Sequence, residues 1–223
     1  DGLPLGLLGA QCEAPEGKKE APEEEEKVSS SKKPIEERKN FCWIESLRDS
    51  NVLATEMPSI RQVCTLDREA DFFELFNEPR HPQVEVLVRA KHNRLINGRY
   101  KLFDTLRRSK VRRTLTIQIP RHSARPKLSK HKARPHRPER TAQVALRYRE
   151  IELPPPSEHK DKAPVKLWVV HIREKRPPAG ETPLEWFLLT TIAVTSNRIA
   201  EDCIRWYRLR WRIEDWHRVL KSG

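Results

Sequence analysis

Apolar positions between Ile60 and Leu66 form a short run that reads as a buried strand and leads directly into Asp67. Beyond Asp67, Phe72, Phe73, Leu75 and Phe76 recur at helical spacing. Val84 to Val88 reads as a second strand, ending at Arg89-Ala90-Lys91-His92-Asn93-Arg94. Upstream, Ile35 to Ser50 has helical character, with Ile35, Phe41, Trp43, Ile44 and Leu47 as packing residues. Leu3 to Ala10 is apolar with glycines and reads as a strand or hairpin arm. Residues 13–33, rich in Glu, Lys, Ser and Pro, read as a mobile loop. From residue 95 the pattern changes. Leu102–Leu106, Leu115–Ile119, Gln143–Leu146 and Val165–Ile172 are short apolar or alternating stretches separated by Pro and basic turns. They predict a β-rich inserted subdomain over about 95–190, with Arg121–Arg140 basic and proline-broken. Ser196 or Asn197 is suited to cap a last helix that ends near Gly223. The expected architecture is an α/β core in 1–94 and 191–223, interrupted by that insertion.

The closing segment is the richest in chemistry. On one continuous helix, Tyr207, Arg210, Glu214, Arg218 and Lys221 fall within an arc of about 80°. Trp206, Leu209, Ile213, Trp216 and Leu220 form a separate, core-facing side. A lone acid among bases suits a place where a metal ion and a phosphodiester meet. An amphipathic helix with a solvated charged face is the plainer reading of the same stripe.

Charge narrows the partners. Lys+Arg is 44 against Asp+Glu 32, a net charge of +12, which favours a polyanion, nucleic acid before membrane. Residues 89–149 hold twenty Lys/Arg and two acids, Asp104 and Glu139. Cys12, Cys42, Cys64 and Cys203 form no CxxC pair and read as reduced thiols of a cytoplasmic protein. His92 has no second His or Cys at ligand spacing. No apolar run reaches the roughly 18 residues of a membrane span.

Three ordered motifs carry a resemblance. Tyr207-x2-Arg210-x3-Glu214-x6-Lys221 resembles the YREK signature of bacterial DDE transposases of the insertion-sequence-four family, which includes the transposon-five type. Cys64 to Asp71 is similar to that family's DREAD segment, and Glu181 to Thr190 to its segment before the final catalytic helix. The resemblance implies a ribonuclease H-like core split by a β-rich insertion. It implies Asp67 and Glu214 as the second and third catalytic acids and as ligands of two Mg²⁺ or Mn²⁺ ions. Tyr207, Arg210, Arg218 and Lys221 become phosphate-gripping residues, and Trp186 an aromatic platform for a flipped base. Arg89, Lys91 and Arg94 follow a core strand and are candidates to line a double-stranded DNA path. A homodimer is implied for the full-length synaptic complex, at the nucleoid of a bacterial cytoplasm. The family's first aspartate stands in an Asp-Thr-Thr-like context, which neither Asp1 nor Asp49 has. The expectation is a fragment of a longer product, inactive alone. Two other readings stand beside it: a catalytically inactive DNA-binding remnant, and another metal-dependent nuclease on a related core.

Overall fold

The computed structural model describes residues 34–121 and 138–213 together with Leu3, Gly6, Trp216, His217 and Val219. Six strands form one mixed sheet: β1 (Gln62–Leu66), β2 (Val84–Arg89), β5 (Arg113–Ile119), β6 (Arg140–Leu153), β7 (Val165–Glu174) and β8 (Glu185–Thr190). Their order is β1-β2-β8-β7-β6-β5. β1 and β2 run parallel, and every other neighbouring pair is antiparallel. A small hairpin of β3 (Leu95–Ile96) and β4 (Tyr100–Lys101) stands apart from the sheet.

Period-two alternation decides which layer each side chain joins. Val86 and Val88 of β2, Val169 of β7 and Leu189 of β8 pack with Ile44 and Leu47 of α1 (Cys42–Glu56), Phe73 and Phe76 of α2 (Phe73–Asn77), and Leu102 and Leu106 of α3 (Leu102–Arg108). Leu87, Val170, Ile172 and Leu188 point the other way, onto Ala200, Cys203, Ile204 and Tyr207 of α4 (Asn197–Leu209). The chain is therefore a mixed α/β layered fold with helices on both faces.

β8 lies between β2 and β7, so β5 to β8 extend the core sheet, and within residues 95–190 only the β3–β4 hairpin stands outside it. Phe187, Leu188 and Leu189 are at most 6% exposed, and a strand apolar on both faces needs the sheet's interior. Leu102–Leu106, read as β from its short apolar stretch, is instead helix α3. Leu102 and Leu106 stand one helical turn apart and are both fully buried. Ser196 is the residue that caps α4, its Oγ accepting from Ile199 N at 3.3 Å.

The last helix also departs from expectation. After Leu209 the bonding tightens: Arg210 N donates to Tyr207 O, and Trp211 N to Arg208 O. Such i−3 bonds break the α-helical register, and helical backbone resumes at Arg212 and Ile213. Among the described residues the helix is therefore not continuous past Leu209, and Ile213 and Trp216 are exposed instead of core-facing. Glu214, Arg218, Leu220 and Lys221 lie outside the described residues, as do nearly all of Leu3–Ala10, the acidic stretch 13–33, and residues 122–137. No helix among the described residues is long and apolar enough to cross a membrane.

Candidate functional site

Parallel pairing of Leu66 with Val88 brings the ends of β1 and β2 level, so Asp67 follows one strand where Arg89 ends the other. Alternation then turns Asp67, Arg89 and Trp186 toward the α4 face. Tyr207, 2% exposed, closes the group from the helix. Trp186 meets the Tyr207 ring edge-on at 5.4 Å between centroids. The Arg89 guanidinium lies over the Trp186 ring at 5.8 Å, and its Nη2 donates to Glu185 O at 3.4 Å. Arg210 sits 5.9 Å from the Tyr207 ring centre. Four segments spread over more than 140 residues thus meet at one end of the sheet.

The electrostatics are those of a cation-rich group beside the Asp67 carboxylate. Burial pushes the Tyr207 phenol up from its ordinary value; Arg210 and Arg89 pull it back, and the Asp67 charge pushes it further up. The phenol is therefore a neutral donor at physiological pH. Burial and the neighbouring charge of Arg68 press Arg89 down, while Tyr207 supports it. Arg68 is a member of this group that sequence reasoning passed over; its only signal is its place directly after Asp67.

Asp67 caps the 3₁₀ turn Arg68–Ala70, one carboxylate oxygen accepting from Glu69 N at 2.8 Å. Among the described residues no three His, Cys, Asp or Glu side chains are grouped to hold a metal ion. Glu214, the partner acid expected from sequence, lies outside them.

Asp71 and Arg94 form a clamp beside this group. Asp71 is buried, with a fully inaccessible side chain. Its Oδ2 accepts from Lys91 N at 2.6 Å and His92 N at 3.2 Å. Arg94 donates to Asp71 O at 2.7 Å and stands 2.6 Å from Oδ1 as an ion pair. Arg94 is thus committed to this clamp, whereas the Lys91 side chain is exposed. The clamp ties the loop after β1 to the loop after β2, which fixes Asp67 relative to Arg89.

Behind Trp186, on the opposite face of β8, Glu185 accepts two hydrogen bonds from Arg107 (3.0 and 2.7 Å) and one from His171 Nε2 (2.9 Å). His171 is fully buried and stacks on Phe187 at 4.3 Å, with no hydrogen bond to Nδ1. This fits the neutral tautomer with its proton on Nε2. Burial brings His171 down to about 4 from an ordinary 6.5, although Glu185 pulls it upward. Burial alone would raise Glu185, but Arg107 and His171 outweigh it and bring the carboxyl to about 2. Between pH 6.5 and 4 the unfolded chain binds a proton at His171 that the folded chain refuses. Stability should therefore fall through that window by up to about 3 kcal/mol. Glu185 adds a second loss only below its ordinary 4.5. Urea unfolding at a series of pH values should give a flatter profile between 6.5 and 4 for His171→Asn than for the native chain; parallel profiles would remove His171 as the cause.

No family model matches the chain.

Proposed function

We propose that the chain is the core of a DNA transposase of the DDE type, on a ribonuclease H-like variant of its α/β fold, breaking and joining phosphodiester bonds at insertion-sequence ends. The observation that carries this reading is the meeting of Asp67, Arg89, Trp186, Tyr207 and Arg210 at one sheet end. Asp67, Trp186 and the Tyr207–Arg210 pair come from motifs far apart in the chain, and Arg89 ends β2. Each side chain has a role suited to phosphoryl transfer. Arg89 and Arg210 offer fork-shaped donors to a non-bridging phosphate oxygen, and the Tyr207 hydroxyl adds a neutral one. Trp186, held between Arg89 and Tyr207, keeps that guanidinium aimed. Asp67, with Glu214 from the closing segment, would hold Mg²⁺ or Mn²⁺, which supplies charge to the attacking and leaving oxygens when bound.

The test is a duplex carrying candidate transposon ends, incubated in Mg²⁺ or Mn²⁺ with a chain extended to include an Asp-Thr-Thr strand. Nicking at the ends is expected. Arg210→Ala and Lys221→Ala should weaken the end-specific complex in a gel shift together with cleavage, because each removes a charge-assisted phosphate contact. Full DNA binding with no nicking under any metal would favour the inactive DNA-binding remnant.

A further inference from the structure

On the opposite face of the sheet from Tyr207 lies a second concentration of charge. Arg99, Lys101, Arg108 and Arg149 line a groove of about 540 Å³ between the β3–β4 hairpin, α3 and β6, together with Tyr100 and Asp104. All four cations are exposed, and none forms an ion pair with a described carboxylate. Asp104, the one acid present, already accepts from Asn93 Nδ2 at 3.2 Å. Arg99 lies over the Tyr100 ring at 4.7 Å, which holds its guanidinium at the rim.

The groove is built on a braced scaffold. The hairpin turns through Asn97 (φ 49°) and Gly98 (φ 75°), both in the left-handed region that these residue types tolerate. Asn97 then locks the turn to β6: its N–H donates to Glu152 O at 2.8 Å, and its Oδ1 accepts from Glu152 N at 2.7 Å. The far end of α3 is tied to β6 by Arg147 Nε donating to Ser109 O at 2.9 Å. Four unneutralised cations on a fixed concave surface repel one another, so they favour an anion that bridges them.

We propose that this groove is a second binding site, for the phosphodiester backbone of duplex DNA, separate from the Asp67 end of the sheet. The inference rests on the reading of the chain as a DNA-acting protein, but not on its cleaving anything. Backbone phosphates, spaced along a strand, suit a row of cations better than a single small anion does.

The experiment is fluorescence anisotropy of the full chain with a random-sequence 30-base-pair duplex across roughly 50–200 mM salt. The groove variant carries Arg99→Gln, Lys101→Gln, Arg108→Gln and Arg149→Gln. A control removes four cations elsewhere, with Lys160, Lys162, Lys166 and Arg176 each changed to Gln. The groove variant should bind roughly tenfold or more weakly, with a salt slope shallower by about three to four, near 0.9 for each lost phosphate contact. The control should retain most of the affinity. Equal losses in the two variants, or none in the groove variant, would overturn the site. Should the quadruple variant melt abnormally, Arg108→Glu with Arg149→Glu gives the same comparison. Anionic lipid vesicles form the final arm; a loss of vesicle binding as large as the loss of DNA binding would assign the groove to membranes and overturn the proposal. Nicking is read separately. An extended chain that never nicks, while the groove variant still loses DNA, sinks the transposase reading and leaves the groove standing.

Discussion

Asp67→Asn and Glu214→Gln, each in the extended chain, should reduce end cleavage by roughly 10³-fold or more while the gel-shifted complex persists. Each change keeps the shape of the side chain and removes one anionic metal ligand. Metal-derived stabilisation of the transition state amounts to several kcal/mol, and each 1.36 kcal/mol is tenfold in rate. Binding should persist because phosphate is gripped by Arg89 and Arg210, whose contacts with Trp186 and Tyr207 do not pass through the Asp67 side chain. The measurement is single-turnover cleavage and gel shift on the same duplex. Near-native cleavage by Glu214→Gln would remove the closing segment from the chemistry. Near-native cleavage by Asp67→Asn would do the same for the end of β1, and the meeting of motifs there would need another purpose.

The second large effect concerns folding. Asp71→Ala should lower unfolding free energy by about 3–5 kcal/mol, the cost of leaving a partly buried cation without its partner. Two donors, the Lys91 and His92 amides, lose their acceptor at once, and the Arg94 guanidinium loses its ion-pair partner. Removing Arg94 as well, in Asp71→Ala with Arg94→Leu, should recover part of the loss, since no charge is then stranded. Urea unfolding of the two single variants and the double variant gives the coupling. Additive losses would mean that Asp71 acts only through the two amides. Because the clamp joins the loops after β1 and β2, the single variants should also impair cleavage beyond their effect on the folded fraction.

The sequence showed its elements better than their arrangement. β1, β2 and β7 were legible because buried strands leave short apolar runs, and α4 because its cap and apolar period coincide. The grouping at the sheet end was legible only through motif spacing. Nothing local in Asp71 announces burial, since its partners lie 20 to 23 residues on and two of them are backbone amides. α3 was missed because a five-residue apolar stretch fits either period. The break after Leu209 was missed because a helical wheel assumes unbroken i−4 bonding. The buttress of His171 and Arg107 on Glu185 depends on strand register, which composition does not encode.

The place of β8 between β2 and β7 has a consequence for synthesis. β2 leaves the ribosome roughly a hundred residues ahead of the strand that covers its second edge. At about 5–20 residues per second, that edge waits roughly 5–20 seconds for its partner. During this interval Val86, Leu87 and Val88 lie beside an open row of backbone donors and acceptors, the template on which nascent chains pair with one another. The yield of soluble protein should therefore depend on elongation speed through residues 95–184, a stretch that contributes nothing directly to the Asp67 end of the sheet.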